Sequence, residues 1–97
     1  MGLKAPTVYI VTNSRNTTLY IGVTSDLIKR TYQHKNKLTK GFSARYNLTK
    51  LVYFEQFSDM ESAILREKRL KQWHRPWKNR LISEFNPTWF DLYPSLI

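Results

Sequence analysis

Two short aromatic and β-branched segments near the start of the chain most restrict what it can fold into. Residues 7–11 and 18–23 are both typical of β-strands, and turn-forming residues lie between them at positions 13–16. Side chains alternate between the two faces of a strand, so an antiparallel hairpin of these segments places Tyr9 and Tyr20 on one face. A tight turn centred in residues 13–16 would set the two phenols almost directly opposite each other.

The other face of this hairpin is apolar, which predicts that it packs on a core. Its members are Val8, Ile10, Leu19, Ile21 and Val23. Gly22 falls on the tyrosine face and, because it has no side chain, is expected to leave space beside the two rings.

The rest of the chain alternates helical and extended patterns. Helices are predicted from about residue 26 to 37, from a cap at Ser58 and Asp59 to about residue 73, and from Pro76 to about residue 85. The inner stripe of the first helix is expected to contain Leu27, Thr31 and Leu38. A third strand is predicted over residues 50–57, a polar loop over 36–47, and an apolar tail that folds back on the core through Trp89, Phe90, Leu92 and Tyr93.

These elements predict one α+β domain over the 97 residues, with its core at about residues 7–92. A small three-stranded antiparallel sheet is flanked by three helices in the order β-β-α-β-α-α.

The charge of the chain indicates a polyanionic partner. Sixteen Lys and Arg against seven Asp and Glu give a net charge of +9, and such a field attracts a phosphate backbone. The chain has no cysteine, which excludes disulfides and cysteine-based zinc sites. It has neither a secretory leader pattern nor an apolar run of membrane-spanning length, so we expect a cytoplasmic protein.

One acidic residue breaks the pattern of the second helix. At about 100° per residue, Glu67 lies in the middle of an apolar arc formed by Met60, Ala63, Ile64 and Leu70. It is also the only acid in residues 66–80, which hold seven Lys and Arg. One interpretation is a salt bridge, to Lys71 or to a neighbouring helix. The other is a carboxylate ligand for one Mg²⁺ or Mn²⁺ ion, a cation that often binds through one or two carboxylates with water and phosphate.

Phosphodiester hydrolysis matches the residue types near these positions. Arg30 has the planar fork that grips a non-bridging phosphate oxygen, and Tyr9 or Tyr20 can accept a proton if its pKa is lowered from about 10. His34, four residues after Arg30 on the same helix edge, has three open roles: a base, an orienting hydrogen-bond donor, or a helix-face residue without a chemical role.

These residues, in this order, resemble the GIY-YIG nuclease family. The two family motifs correspond to Val8-Tyr9-Ile10 and Tyr20-Ile21-Gly22. The family's helix arginine matches Arg30, and its following histidine or tyrosine matches His34. Its metal-binding glutamate matches Glu67 and its closing asparagine Asn86. The resemblance covers about residues 7–92 and is closest to small stand-alone bacterial members similar to the N-terminal nuclease domain of the excinuclease ABC system.

The resemblance implies a divalent-metal-dependent endonuclease that acts on DNA, with Tyr9, Tyr20, Arg30, His34, Glu67 and Asn86 as catalytic residues. The first motif lacks its glycine, and Val23 and Thr24 stand where some members carry a lysine that activates the base. Which tyrosine is the base therefore stays open. Asn86 has an alternative structural role, because it can end the third helix before Pro87.

The alternative function is a DNA- or RNA-binding module that is not catalytic or only weakly so. Either function needs a phosphate-contacting surface, for which we predict Lys29, Lys35, Lys37, Arg45, Tyr46, Arg66, Lys68 and Lys71. Phe42 and Tyr46 are predicted either to stack on bases or to pack over the sheet edge. We expect a monomer or weak dimer, with a protein partner that supplies target recognition.

Overall fold

The part of the chain that the structure describes contains one sheet of three antiparallel strands, in which the first strand lies between the second and the third. The computed structural model describes residues 4–39 and 41–97. In it β1 spans Thr7–Thr12, β2 spans Leu19–Thr24 and β3 spans Lys50–Gln56. The predicted hairpin and the predicted fold class are confirmed. Lys40, in the predicted polar loop, and the first three residues lie outside the described residues.

The hairpin register differs from the prediction. Tyr9 pairs with Gly22, and Tyr20 pairs with Val11, so the two tyrosines share a face but are not directly opposite. The connection is longer than a tight turn, because the Asn13 side-chain oxygen accepts hydrogen bonds from the Thr17 and Thr18 amides at 2.9 and 3.1 Å. The observed register differs from the predicted one by two residues. Because two is the side-chain period of a strand, every side chain stays on its predicted face.

Within residues 4–39 and 41–97, four α-helices surround the sheet, one more than predicted. Asp26 caps the first by accepting from the Lys29 amide, and Asp59 caps the third by accepting from the Ser62 amide. The helices are α1 Leu27–Lys35, α2 Phe42–Arg45, α3 Met60–Gln72 and α4 Arg75–Phe85, followed by a 3-10 turn at Tyr93–Leu96.

Two predictions were wrong, one for the polar loop over residues 36–47 and one for the end of the first helix. The segment read as a polar loop contains α2. The first helix ends at Lys35, and Lys37 adopts a positive φ of 54°, so Leu38 leaves the helix and is 63% exposed. It does not belong to the buried stripe of Leu27 and Thr31.

The two faces of the sheet are covered by different helices. On the apolar face, Val8, Ile10 and Ile21 pack with Ala63 and Leu70 of α3, and with Ile82 of α4. On the tyrosine face, Tyr9 and Val11 belong to a second cluster with Leu27, Leu48 and Leu51. The tyrosine face is therefore covered by α1 and the segment that leads into β3.

The C-terminal tail returns to β3 as predicted, but not with all of its aromatic residues. The Leu92 amide donates to the Leu51 carbonyl at 2.8 Å, and the Leu51 amide donates to Asp91 at 3.1 Å. Phe90 stays 67% exposed. None of the helices in the described part of the chain has the length and apolarity needed to span a bilayer.

Candidate active site

Tyr9 lies at the centre of a polar cluster on the tyrosine face. Its side chain is 1% exposed, and its hydroxyl shares a 2.9 Å hydrogen bond with Nε2 of His34. The Tyr20 ring lies 6.4 Å from the Tyr9 ring and 5.7 Å from the His34 ring, centroid to centroid. The end of the Tyr9 ring occupies the space above Gly22 that a side chain would fill. The space that Gly22 was predicted to leave beside the two tyrosines is present, and the Tyr9 ring fills it.

Two hydroxyl groups extend this hydrogen bonding beyond His34. Its Nδ1 shares a 2.8 Å hydrogen bond with the Ser43 hydroxyl, which shares one of 2.9 Å with the Thr39 hydroxyl. His34 and Ser43 are both buried. Among the described residues, a continuous hydrogen-bonded series therefore runs from the Tyr9 phenol to Thr39.

Burial keeps both ends of the Tyr9–His34 hydrogen bond neutral. Burial raises the pKa of Tyr9 to about 12, an effect that the neighbouring Arg30 guanidinium partly opposes. Burial, together with the positive charge of Arg30, lowers the pKa of His34 to about 4. At neutral pH the pair consists of a protonated phenol and an uncharged imidazole.

Arg30 connects this cluster to an open groove. Its guanidinium donates to the Gln33 side chain at 3.0 Å, and it acts electrostatically on both Tyr9 and His34. The groove has a volume of about 550 Å³ and is lined by residues 23–26, Lys29, Arg30, Gln33 and Met60. A phosphate in this groove would meet two cationic side chains, Lys29 and Arg30, of which Arg30 also neighbours Tyr9.

Glu67 reaches the same region from α3. Its carboxylate pairs with Lys71 at 2.6 Å, and its negative charge contributes to the raised pKa of Tyr9. The Lys71 ammonium lies 6.0 Å from the centroid of the Tyr20 ring, so this end of α3 reaches the tyrosine face past the edge strand β2.

The predicted salt bridge to Lys71 is therefore present, but it does not lie in a closed core. The Glu67 side chain is 13% exposed and that of Lys71 is 50% exposed. The lysine can move into solvent and leave the carboxylate free.

No cluster of three or more His, Cys, Asp or Glu side chains suited to a metal ion occurs within residues 4–39 and 41–97. A divalent ion at Glu67 would need water and a substrate phosphate to complete its coordination, which is how Mg²⁺ is commonly held.

A row of aromatic side chains continues from Tyr20 onto α2. The Phe42 ring stacks on Tyr20 at 6.4 Å with an interplanar angle of 30°, and Tyr46 follows at 4.7 Å from Phe42. The Arg45 guanidinium lies 5.8 Å from the Tyr46 ring. Phe42 and Tyr46 are nonetheless 47% and 44% exposed. We call Tyr20, Phe42 and Tyr46 the aromatic row.

Comparison with known proteins connects this geometry to a family. The model of the GIY-YIG catalytic domain matches residues 5–81. The chain belongs to the GIY-YIG family. It is 34% identical over 77 residues to UPF0213 protein SSP2268 of Staphylococcus saprophyticus, covering 79% of this chain and 93% of that protein. It is 37% identical over 76 residues to UPF0213 protein CPE1444 of Clostridium perfringens, covering 78% and 81%. No solved structure matches significantly.

The match to the GIY-YIG family agrees with the clustered residues. Tyr9, Tyr20, Arg30, His34 and Glu67 lie inside the matched range. His34 and Tyr20 lie against Tyr9, and the charges of Arg30 and Glu67 both act on the pKa of its hydroxyl. Because members of this family are nucleases, membership indicates phosphodiester chemistry on nucleic acid.

Asn86 lies beyond the matched range and has structural contacts instead. It is 4% exposed, and its side-chain amide donates to the carbonyls of Val52 and Phe90 at 3.2 and 2.8 Å. Its side-chain oxygen accepts from the Phe90 amide at 3.2 Å. These bonds hold the end of α4 to β3 and to the start of the tail. Asn86 is the C-cap of α4, but its side chain connects separate segments and does not bond to the helix that it was predicted to end.

The predicted phosphate-contacting residues divide into two groups. Three are engaged in ion pairs: Lys35 with Asp91, Arg66 with Glu55 at 3.0 Å, and Lys71 with Glu67. Lys35 also donates to the Thr49 carbonyl at 3.0 Å. The residues of the second group have exposed side chains: Lys29, Lys37, Arg45, Tyr46 and Lys68.

The sequence patterns did not predict Ser43 and Thr39 as parts of the site. They lie in the segment read as a polar loop, where a hydroxyl carries no positional signal. The short helix that places Ser43 against His34 begins after Gly41, whose φ of 95° favours glycine. Gly41 is therefore the residue in the sequence that could have indicated this short helix.

Proposed function

We propose that this protein is a divalent-metal-dependent endonuclease that hydrolyses phosphodiester bonds in DNA through one Mg²⁺ or Mn²⁺ ion and a tyrosine-assisted water. The observation that carries the proposal is the convergence of two phenols, an imidazole, a guanidinium and a carboxylate from four separate elements. Tyr9 comes from β1, Arg30 and His34 from α1, Glu67 from α3, and Tyr20 from β2.

Tyr9 is our candidate for the base, in a relay with His34. The Tyr9 oxygen takes a proton from the attacking water as its own proton passes to Nε2 of His34, which is 2.9 Å away. The phenol need not ionise in advance, which is consistent with its pKa of about 12. Tyr20, whose side chain is less buried, borders the same space and would position the water.

Arg30 would hold a non-bridging phosphate oxygen, because its guanidinium borders both the groove and the Tyr9 hydroxyl. Glu67 would hold the metal ion once Lys71 moves away. When bound, that ion supplies positive charge to the developing phosphorane and to the leaving oxygen.

The exposed members of the phosphate-contacting set would bind the DNA backbone. Lys29 lines the groove beside Arg30, and Lys68 lies one residue after Glu67 on α3. The aromatic row would stack on a base next to the scissile phosphate, since the exposed faces of Phe42 and Tyr46 continue directly from Tyr20.

A cleavage assay on duplex, single-stranded and branched DNA, with Mg²⁺, Mn²⁺ or a chelator, tests the proposal. Glu67→Gln is expected to abolish cleavage, whereas Glu61→Gln, which changes an exposed acid on the same helix, is expected to retain it. Arg30→Ala is expected to abolish cleavage and Lys29→Ala to reduce it through weaker binding. Unchanged cleavage by both Glu67→Gln and Arg30→Ala would contradict the proposal.

A second candidate is a binding module on the same fold, and two observations favour it. The Glu67 carboxylate is paired with Lys71, and the raised pKa of Tyr9 and the lowered pKa of His34 make both poor proton acceptors at neutral pH. Binding of DNA or RNA without cleavage across the substrates and metals above would support this function instead.

A further inference from the structure

The Ser43 hydroxyl has no role in the chemistry proposed above, yet it is buried against the imidazole that takes part in it. Ser43 is 5% exposed, and its oxygen lies 2.8 Å from Nδ1 of His34 and 2.9 Å from the Thr39 hydroxyl. It comes from α2, nine residues after His34. A serine held between two partners in this way can select one form of the ring.

The direction of each hydrogen bond in the series follows from the donors available. The Tyr9 hydroxyl is buried, and among the described residues Nε2 of His34 is the acceptor within hydrogen-bond distance of it. A guanidinium only donates, so Arg30 beside the phenol oxygen cannot take the phenol proton. A buried hydroxyl that donates to nothing is costly, so the Tyr9 proton points to Nε2.

The same argument continues through the ring. An uncharged imidazole has one N–H, and if Nε2 accepts, Nδ1 carries the proton. Ser43 then accepts from Nδ1–H and gives its own proton to the Thr39 oxygen. Tyr9, His34 and Ser43 each then have an acceptor for their proton, whereas the opposite tautomer would leave the Tyr9 hydroxyl without one.

We propose that Ser43 is a positioning residue of this site, which holds His34 in the Nδ1–H tautomer so that Nε2 is free to receive the Tyr9 proton. The geometric part of this inference stands on the hydrogen bonds alone. Its consequence for catalysis rests on the proposed function.

The tautomer can be measured without any cleavage. In ¹⁵N-labelled protein at neutral pH, long-range ¹H–¹⁵N correlations distinguish a protonated from an unprotonated ring nitrogen. The chain contains two histidines, and the exposed His74 serves as the internal control. We expect Nδ1–H for His34 in the wild type.

Ser43→Ala is expected to change His34 from the Nδ1–H form to a mixture that contains the Nε2–H form, because each form then leaves one buried donor, the Nδ1–H or the Tyr9 hydroxyl, without an acceptor. Ser43→Thr keeps the hydroxyl and is expected to restore the wild-type tautomer. A wild-type His34 already in the Nε2–H form would overturn the inference. An unchanged Nδ1–H tautomer in Ser43→Ala would overturn it as well.

Cleavage kinetics of the same variants test the consequence. Ser43→Ala is expected to lower kcat about tenfold or more with little change in KM, the effect typical of losing a partner that orients a histidine. Ser43→Thr is expected to recover most of kcat. If the wild type does not cleave DNA at all, the proposed function fails while the tautomer result still decides the role of Ser43. If Ser43→Ala changes the tautomer and leaves kcat unchanged, the positioning role in catalysis is wrong.

Discussion

The end of the Tyr9 side chain lies where the Cβ of any residue other than glycine would stand at position 22. The two residues are register partners on adjacent strands, and the phenol oxygen and the ring carbons nearest to it fill the space above the glycine. Gly22 therefore determines where the Tyr9 hydroxyl lies, and through it the hydrogen bond to His34.

Gly22→Ala is expected to displace the Tyr9 ring and to lower the free energy of unfolding by about 1–3 kcal/mol, as overpacking of a filled core does. Chemical denaturation measures the change. In a Tyr9→Ala background the same substitution has no ring to displace and should cost much less. An equal cost in both backgrounds would show that the contact does not matter.

Acid is expected to destabilise the protein through His34. Its pKa is lowered from 6.5 to about 4 in the folded chain, so between these values the unfolded chain binds a proton that the folded chain does not. Stability therefore falls as the pH falls from 6.5 to 4, by about 1.4 kcal/mol per unit of pKa difference once titration is complete. Denaturation curves at several pH values should show a shallower slope for His34→Gln, while His74→Gln keeps the wild-type slope.

Lys71→Met is expected to strengthen metal binding at Glu67, because the lysine competes for the carboxylate at 2.6 Å. The lysine of this pair is half exposed, and an ion pair open to solvent contributes roughly 0.2–1 kcal/mol, so the Mg²⁺ or Mn²⁺ dissociation constant should fall by about fivefold if the pair contributes at the upper end of that range. Calorimetric titration without DNA measures it. Lys68→Met removes a charge from the same helix without this pair and is the matched control. If both variants behave alike, only the overall charge matters.

Asn86→Ala is expected to destabilise the fold without removing catalytic chemistry. It leaves the Val52 and Phe90 carbonyls and the Phe90 amide without the partners they have now, and one such buried group costs about 1–3 kcal/mol. Thermal unfolding should shift downward, while cleavage at a temperature where the variant is fully folded should match the wild type. Normal stability with lost cleavage would instead place Asn86 in the catalytic site.

Tyr46→Ala is expected to weaken DNA binding by roughly 1–3 kcal/mol if its ring stacks on a base. Fluorescence anisotropy at fixed salt, with single-stranded and duplex DNA, measures the loss. Tyr32→Ala removes a 52% exposed tyrosine of α1 that lies outside the aromatic row, and it should have little effect. Equal losses for both variants would argue against stacking by the row.

Much of the site could be predicted because its signals are local. Tyr9 and Tyr20 share a face because strand side chains alternate, and Arg30 and His34 share an edge because they are four apart on a helix. Glu67 could be identified as a site residue because an acid is unusual on the apolar face of a helix. The pairing of Glu67 with Lys71 was predicted only as one of two alternatives, since spacing allows an ion pair without requiring it.

The sequence by itself determined the hairpin, the two faces of the sheet, the start of the first helix near residue 26, the helix cap at Asp59, and the basic character of the surface. These follow from periodicity, capping chemistry and charge, which act between residues close in the chain. Only the tertiary structure decided the two-residue register shift, the Tyr9 ring above Gly22 and the burial of Ser43 against His34. These features depend on how loops of particular length and dihedral angle bring separate segments together. A local sequence pattern does not determine the distance between residues that lie on separate segments.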